Sequence, residues 1–247
     1  MRLEGKVAVV TGGASGFGEG IARRFAEAGA RVVIGDIDEE GGARVADEIG
    51  GAFARCDVSQ GADVAALVEA ARSRFGALHV AVNNAGFSHR NRPMLEVDEA
   101  TFDRVFAVNV KSIFHMARAA VPVMREEGGG VILNVASTAG VRPRPGLTWY
   151  NGSKGAAITL TRSMAVELAP DRIRVCALNP VAGETPMLAT FLGEDTPERR
   201  AAFRATIPLG RLSQPSDVAS AALFLASDEA AYVLAQTYGV DGGNWMA

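Results

Sequence analysis

Residues 7–18 read Val7-Ala8-Val9-Val10-Thr11-Gly12-Gly13-Ala14-Ser15-Gly16-Phe17-Gly18, a short β-branched run that passes directly into a glycine-rich turn. Apolar residues then recur at helical spacing at positions 21, 22, 25 and 26, until Gly29 ends the segment. This order predicts a strand, a tight turn and a helix. Glycines let the backbone approach a ligand closely, and the free N–H groups of a helix start attract phosphate. The stretch therefore predicts an anion-binding unit, although a glycine turn can also serve only as a tight connection.

The second predicted strand, residues 31–35, ends at an acidic residue, Asp36. A carboxylate at this position can accept hydrogen bonds from a ribose diol. The following Asp38 is better placed to cap the next helix, which leaves Asp36 free for the ribose. Its charge would repel a 2'-phosphate, and Ile37 offers no compensating cation. The pair therefore predicts NAD (NADH) in preference to NADP.

The alternation of strand and helix continues to the end of the chain. Further strands are predicted at about 52–56, 78–82, 131–135, 173–178 and 237–240, and helices at about 61–75, 98–125, 150–168 and 215–226. This pattern predicts an α/β fold of the Rossmann type, a doubly wound parallel sheet between two helical layers. We predict one domain over residues 1–247, with a polar, proline-rich substrate lid at about 181–212.

Composition narrows the range of functions. The formal net charge is −3 and the basic residues are scattered, so a nucleic-acid partner is not expected. No apolar run approaches the ~20 residues that span a bilayer, and the N-terminus does not read as a signal peptide. Cys56 and Cys176 lie in apolar contexts that suit buried, reduced thiols, so we expect a cytoplasmic protein. The three histidines show no paired spacing, and we predict no metal site.

Tyr150 and Lys154 stand four residues apart at the start of the predicted helix 150–168, so they share one helix face. A free tyrosine has a pKa of about 10, and a cation roughly 4 Å away would lower it by up to ~3 units. Tyr150 would then be a usable acid and base near neutral pH. An isolated pair at this spacing is more often a tyrosine beside a solvated lysine, so its meaning depends on the rest of the chain.

Small and polar residues follow several of the predicted strands. They are Asp57-Val58, Asn83-Asn84-Ala85-Gly86, Ser137, Asn179-Pro180 and Asp241-Gly242-Gly243, with Asn109 in the middle of a predicted helix. Together with Thr11-Gly12-x-x-x-Gly16-x-Gly18 and Tyr150-x-x-x-Lys154, they make the chain resemble the short-chain dehydrogenase/reductase family over essentially its whole length.

The resemblance implies an enzyme that interconverts a secondary alcohol and a ketone by hydride transfer. It implies that Tyr150 exchanges a proton with the substrate oxygen and that Ser137 donates a hydrogen bond to the same oxygen. Lys154 would lower the pKa of the tyrosine and bind the nicotinamide ribose. Asn109 would hold a water relay.

The resemblance also implies cofactor contacts along a cleft. The residues are Gly12, Ser15, Gly16, Phe17 and Gly18 for the pyrophosphate, Asp36 and Ile37 for the adenine ribose, Asp57 and Val58 for the adenine, Asn83, Ala85 and Gly86 for the groove, Tyr150 and Lys154 for the nicotinamide ribose, and Pro180, Gly183 and Thr185 for the nicotinamide carboxamide. Val181 stands where the family commonly has glycine, which leaves a displaced loop open at this end. Likewise, Leu234-Ala235 replaces the usual Thr-Gly.

Two other functions are also considered for this sequence. The main alternative is an NADPH-dependent 3-oxoacyl-carrier (β-ketoacyl) reductase, against which Asp36 argues, and the alternative of another class is a non-catalytic NAD-binding protein. Relatives are usually homotetramers, and the apolar tail Trp245-Met246-Ala247 would suit a subunit contact. Substrate identity depends on the loops at 87–95 and 141–149 and on the lid. Arg142 or Arg144 could bind a substrate carboxylate there, or could simply lie in a solvated loop.

Overall fold

A computed structural model describes residues 1–245, and its centre is one parallel sheet of seven strands. Met246 and Ala247 of the apolar tail lie outside the described residues. The strands are β1 (Val7–Thr11), β2 (Arg31–Asp36), β3 (Ala52–Arg55), β4 (Val80–Asn83), β5 (Gly130–Val135), β6 (Ile173–Pro180) and β7 (Thr237–Val240). Their order across the sheet is β3-β2-β1-β4-β5-β6-β7. This arrangement confirms the predicted doubly wound α/β class.

Helices cover both faces of the sheet. They are α1 (Gly16–Glu27), α2 (Glu39–Glu48), α3 (Gly61–Phe75), α4 (Glu99–Phe106), α5 (Ser112–Glu126), α6 (Thr148–Leu168), α7 (Leu188–Leu192), α8 (Pro197–Arg204) and α9 (Pro215–Ala226). Phe25 of α1 and Leu223 of α9 belong to the core on one face, and Leu67 of α3 and Met116 of α5 belong to the core on the other. Within residues 1–245, no helix combines the length and apolar character that crossing a membrane requires.

The strand order reverses between β1 and β4, and this reversal creates a cleft at the carboxyl ends of these two strands. Strands β2 and β3 lie on one side of β1, whereas β4, β5, β6 and β7 lie on the other. Chain segments that leave the carboxyl ends of β1 and β4 therefore run in opposite directions and leave a crevice between them. The residues that follow four strands, Gly12, Asn84, Ser137 and Val181, meet at this edge of the sheet.

The long helix predicted over about 98–125 is present, but it is not regular. Its middle, Ala107–Lys111, is a π-helical segment between α4 and α5. Such a segment adds a residue to one turn and rotates the side chains that follow, and it is common at functional sites. Asn109 lies at its centre and is 3% exposed, so an amide in the middle of a helix becomes part of the interior.

The segment predicted as a lid carries the two short helices α7 and α8. Leu188 and Ile207 from this segment are buried with Val181 and Leu212 in a small apolar cluster separate from the main core. The Gly183 backbone forms an isolated parallel bridge with Ser213. The segment is therefore packed upon itself and upon the end of β6.

The turn before β7 contains an unusual backbone conformation. Ala235 has a φ of 60°, in the left-handed region that favours glycine. Its N–H donates to the Val175 carbonyl oxygen at 3.0 Å, which holds the turn against β6. The replacement of the usual glycine by alanine in Leu234-Ala235 therefore leaves the conformation in place with a Cβ present.

Candidate active site

A cavity of about 670 Å³ runs along the carboxyl ends of the strands. It extends from the end of β2, past the glycine turn, to the start of α6. Its lining includes most of the predicted site residues, namely Gly12, Ser15, Gly16, Phe17, Asp36, Ile37, Asp57, Val58, Ala85, Gly86, Ser137, Tyr150, Lys154, Pro180, Gly183 and Thr185. Cys56, Asn84, Arg104 and Phe191 also line it. Both Cys56 and Cys176 are buried and free, as predicted.

The glycine turn is fixed by contacts that only glycine allows. Gly12 has a φ of 66°, and a Cβ there would lie 2.8 Å from the Ala85 Cα atom. The Asn84 side-chain amide donates to the Thr11 and Gly12 carbonyl oxygens at 2.9 and 3.0 Å. Gly18 lies beneath the turn rather than on the cavity wall, since a Cβ there would lie 2.0 Å from the Gly12 carbonyl oxygen. Gly18 therefore has a packing role, because it allows the turn to pack directly on α1.

Helix α1 begins at the cavity with its first N–H groups open. Ser15 precedes the helix in an extended conformation and its side chain makes no capping hydrogen bond. The N-terminal N–H groups of a helix carry a partial positive charge and attract anions. Thr185 closes over this end, because its Cγ2 lies 3.2 Å from where a Cβ of Gly16 would stand.

Asp36 stands at the far end of the cavity, at the carboxyl end of β2. One carboxylate oxygen accepts from the Ala14 N–H at 3.0 Å, and the other accepts from the Asp38 N–H at 3.0 Å. The side chain is therefore tied to the glycine turn, whereas we expected it to be free. Each carboxylate oxygen still has capacity for a second donor. Asp38 caps α2 by accepting from the Gly41 N–H, as predicted.

The predicted adenine end is formed by the loop after β3. Asp57 accepts two hydrogen bonds from Ser59, at 2.9 Å from the N–H and 2.7 Å from the hydroxyl. Its own N–H donates to the Asp63 carboxylate at 3.0 Å. These bonds turn the Asp57 side chain into the loop, while Val58 presents a small apolar side chain to the cavity.

The two consecutive asparagines after β4 have different positions. Asn83, which we predicted to line the groove, is buried and donates to the Asn134 side-chain oxygen at 2.8 Å. Successive side chains of a strand point to opposite faces, so the next residue, Asn84, is the one that reaches the cavity. Asn83 therefore supports the sheet beneath the cleft.

Ser137, Tyr150 and Lys154 come together at the other end of the cavity. Ser137 follows β5, and its hydroxyl oxygen accepts from the Ala139 N–H at 3.1 Å. Tyr150 and Lys154 lie on α6 and are both 5% exposed. The Lys154 ammonium donates to the Val135 carbonyl oxygen at 2.8 Å and lies 5.8 Å from the centroid of the Tyr150 ring.

Burial controls the acid and base strength of this pair. It raises the pKa of Tyr150 to about 12, whereas the Ser137 hydroxyl and the Arg144 guanidinium act in the opposite direction. Burial also lowers the pKa of Lys154 to about 8. We expected Lys154 to lower the pKa of the tyrosine, but in the chain alone desolvation is the larger effect. The lysine is directed to a main-chain carbonyl, and Ser137 and Arg144 are the groups that favour the phenolate.

Asn109 connects α6 to the loop after β4. Its side-chain nitrogen donates to the Phe87 carbonyl oxygen at 2.8 Å and to the Ser153 hydroxyl at 2.9 Å, and its oxygen accepts from the Phe87 N–H at 2.8 Å. The Ser153 hydroxyl in turn donates to the Tyr150 carbonyl oxygen at 2.7 Å. The asparagine thus fixes the backbone of both sides of the cavity. Ser153 was not singled out as a functional residue, because a serine inside a helix has no distinctive spacing.

The loop after β6 is held by main-chain and side-chain contacts, with Val181 at the position where the family commonly has glycine. Val181 is buried, and its N–H donates to the Val240 carbonyl oxygen at 3.3 Å. Gly183 is held between Phe17 and Ser213, since a Cβ there would lie 2.6 Å from atoms of both. Gly183 and Thr185 therefore line the cavity together with Pro180. Ser213 is a contact that the sequence pattern did not reveal.

Aromatic residues of the predicted lid close the cavity beside Tyr150. The Phe191 ring of α7 lies 5.2 Å from the Tyr150 ring, centroid to centroid. The Phe203 ring of α8 lies 4.3 Å below the guanidinium carbon of Arg144. Arg142 is exposed and donates to the Asn244 carbonyl oxygen, away from Tyr150. Of the two arginines considered from the sequence, Arg144 is the one whose charge acts on Tyr150.

Comparison with known proteins places this site in context. A family model described as enoyl-(acyl carrier protein) reductase matches residues 12–244. The chain is 53% identical over 249 aligned positions to 4-formylbenzenesulfonate dehydrogenase of Comamonas testosteroni, covering 98% of this chain and 99% of that one. It is 40% identical to the 3-oxoacyl-[acyl-carrier-protein] reductase of Thermotoga maritima, with 98% and 99% covered.

A solved structure extends the likeness to the fold. The 3-ketoacyl-(acyl-carrier-protein) reductase of Brucella melitensis, solved in complex with NADH, superimposes with a TM-score of 0.94 at 49% sequence identity. The alignment covers 98% of this chain and 99% of that one. The cleft described above is therefore built on the same backbone as a nicotinamide-binding reductase.

Proposed function

The chain belongs to the short-chain dehydrogenase/reductase family, and from that premise we propose that it is an NAD-linked enzyme that interconverts a secondary alcohol and a ketone. One observation carries the proposal. Ser137, Tyr150 and Lys154 stand at one end of a single cavity, and a carboxylate, Asp36, stands at the other. The cavity that joins them has a volume of about 670 Å³, and we infer that an extended dinucleotide occupies it. Open N–H groups of α1 lie midway, where a pyrophosphate would need them.

The residues at the catalytic end would handle the proton. A bound nicotinamide dinucleotide would supply or accept the hydride. In reduction, the Tyr150 hydroxyl donates its proton to the substrate oxygen as negative charge develops there, while the Ser137 hydroxyl donates a second hydrogen bond. In oxidation, the phenolate of Tyr150 accepts the proton of the alcohol. Phe191 covers the tyrosine and excludes water from this end of the cavity.

Lys154 would make the tyrosine competent once the cavity is filled. With a pKa of about 8, Lys154 is mainly cationic at neutral pH. A ribose hydroxyl beside the ammonium would take over part of its hydrogen bonding, and the positive charge would then act on the nearby phenolate. Asn109 would fix the backbone around this pair and hold a water relay to it.

The preference for NAD rests on Asp36. Its carboxylate is oriented by two main-chain N–H groups at 3.0 Å, so it presents its remaining lone pairs to the cavity. Ribose hydroxyls can donate to these lone pairs, whereas a 2'-phosphate would meet a fixed negative charge. Ile37 beside it is 58% exposed and supplies no cation.

The deciding experiment titrates the purified protein with NADH and with NADPH and then measures turnover of a panel of ketones. We expect NADH to bind at least tenfold more tightly, about 1.4 kcal/mol. Asp36→Ala should remove most of that preference, whereas Asp38→Ala should keep it, because Asp38 caps α2. Tighter binding of NADPH by the unaltered protein would contradict the NAD assignment.

A second candidate is an NADPH-dependent 3-oxoacyl-carrier reductase, which the names of two relatives favour. A panel that includes a 3-oxoacyl thioester and an aromatic aldehyde sulfonate would separate this candidate from the first. Efficient turnover of the thioester with NADPH would move it to first place. A non-catalytic NAD-binding protein would bind NADH and turn over no member of the panel.

A further inference from the structure

Near the Tyr150 end of the cleft lies a half-buried cation, Arg144, that no group among residues 1–245 neutralises. Arg144 lies between β5 and α6, and burial lowers the pKa of its guanidinium, with Tyr150 as the neighbour that raises it. Across residues 1–245, no carboxylate forms an ion pair with Arg144, and its side chain donates no hydrogen bond. Burying a charge without a partner costs free energy, so an anionic ligand that pairs with this group would be stabilised.

Three other arginines of the predicted lid segment are paired with carboxylates. Arg199 pairs with Glu194 at 3.2 Å, and Arg200 pairs with Glu184 at 2.9 Å. Arg211 pairs with Asp217 at 2.6 Å. These three guanidinium groups are held by their carboxylates on the surface. Within residues 1–245, the guanidinium of Arg144 donates to no acceptor, although the residue is partly buried.

Arg144 is held in place beside Tyr150. Its main-chain carbonyl oxygen accepts from the Asn151 side-chain amide at 2.8 Å, which fixes the loop to the first turn of α6. Its guanidinium packs over the Phe203 ring, with 4.3 Å from the central carbon to the ring centroid. A guanidinium packed on an aromatic face keeps its edge free, and that edge binds carboxylate or sulfonate oxygens in a forked geometry.

We propose that Arg144 binds the carboxylate or sulfonate group of an anionic carbonyl substrate whose reacting oxygen faces Tyr150. The inference rests on the proposed function and narrows its substrate class. An acid group bound here neutralises the buried cation, and Tyr150 is near enough that the Arg144 charge lowers the pKa of its hydroxyl. A neutral substrate of the same shape would leave the guanidinium unpaired, so the site discriminates between an acid and its ester.

The first test uses keto carboxylates with different spacings between ketone and acid, each beside its methyl ester, and one aromatic keto sulfonate. We expect the best acid to exceed its ester roughly 10- to 100-fold in kcat/KM. Arg144→Gln should abolish that ratio by raising KM for the acid, whereas any change in kcat from the lost charge beside Tyr150 should be common to acid and ester. Arg204→Gln, which removes an exposed charge from the same helix as Phe203, should behave as the unaltered enzyme. Equal losses on acid and ester in Arg144→Gln, or preference for esters throughout, would overturn the proposal.

The second test does not depend on turnover. Benzoate and benzenesulfonate are titrated into the NADH complex by calorimetry, and the two arms separate carboxylate from sulfonate recognition. Binding should persist in Tyr150→Phe and disappear in Arg144→Gln. If benzoate and benzenesulfonate bind but no ketone is turned over, the proposed function fails while the anion site stands. If neither anion binds the unaltered complex, the anion site fails, whatever the enzyme turns over.

Discussion

The two ends of the cleft are built in different ways. We call the end proposed to bind the cofactor the cofactor end, and the end proposed to bind the substrate the substrate end. The cofactor end consists of strand termini and main-chain groups: the Asn84 side chain donates to the glycine turn, and Asp36 accepts from the Ala14 N–H. The substrate end consists of loops and short helices that contact one another through side chains, as where Phe191 packs on Tyr150. A backbone-built site tolerates few changes and serves one ligand. A site built from side chains can change its ligand while the sheet stays the same.

The sharpest way to separate the two ends is to remove the proton donor without touching the cofactor end. Tyr150→Phe deletes one hydroxyl at a position 5% exposed, so the packing against Phe191 should persist. We expect kcat/KM to fall by at least about 10³-fold, the size of a lost general acid. NADH affinity should stay within about twofold. Steady-state kinetics and NADH fluorescence titration measure both, and substantial remaining activity would contradict the role of Tyr150.

The pH dependence of stability tests the desolvation of Lys154. The pKa of Lys154 is about 8 in the folded chain and 10.5 in the unfolded chain, so the unfolded chain holds the proton more tightly. Protonation of Lys154 therefore lowers the free energy of unfolding. This penalty is fully present below about pH 8 and disappears as the pH rises to 10.5. Lys154→Met lacks the penalty, so its stability relative to the unaltered chain should fall by up to about 3 kcal/mol over that window.

Denaturant unfolding at several pH values measures this difference. The exposed Lys111 provides the control, since Lys111→Met should give a difference that does not vary over the same window. Tyr150 titrates in both chains, and its raised pKa therefore cancels in the comparison. A flat difference for Lys154→Met would mean that the ammonium is solvated in the folded chain.

A methyl group added at the cofactor end should be damaging, whereas one added on α6 should be harmless. In Gly18→Ala, the new Cβ would lie 2.0 Å from the Gly12 carbonyl oxygen, so the turn must move. We expect a loss of about 1–3 kcal/mol in unfolding free energy and a weakened affinity for NADH. Gly152→Ala meets no atom within 4 Å and lies in a helix, so it should be neutral or stabilising by up to about 1 kcal/mol. Equal behaviour of the two variants would contradict the close packing under the turn.

The smallest effect is expected far from the cavity, at Ala235. Its φ of 60° strains a residue with a Cβ, so Ala235→Gly should relieve that strain. Glycine also gains freedom in the unfolded chain, which offsets part of the gain and leaves about 0.5–1 kcal/mol. Calorimetry should show a melting temperature higher by a few degrees, with activity unchanged. A lower melting temperature would contradict the strain.

The sequence predicts the strands and turns of the proposed cofactor end well, because the signals for them are local. β-branched runs, glycines and an acidic residue at a strand end each report on their own segment, and the strand order then follows from the alternation. The sequence pattern could not show which of Asn83 and Asn84 faces the cavity. The two residues are identical and adjacent, and their side chains point to opposite sides. Helical periodicity also could not show the π-helical segment around Asn109, because one added residue leaves the apolar pattern intact.

At the substrate end, the sequence gives residue types without their environment. The spacing of Tyr150 and Lys154 places both on one face of α6, but their pKa values depend on burial by segments distant in the chain. Arg142 and Arg144 look equivalent in the sequence. Their difference arises because α8 places Phe203 under one of them, while the other reaches the Asn244 carbonyl oxygen.

One residue of the loop after β4, Asn91, has a consequence for how specificity evolves. Its N–H donates to the Thr190 carbonyl oxygen at 3.2 Å, and its side chain donates to the Pro145 carbonyl oxygen at 3.0 Å. Asn91 thus joins the three segments that we propose to contact the substrate. Substitutions in different loops will therefore be epistatic, with combined effects that depart from the sum of the single ones. A change of substrate by gradual drift must pass through coordinated replacements on both sides of Asn91, which favours lineages that keep one ligand shape for long periods.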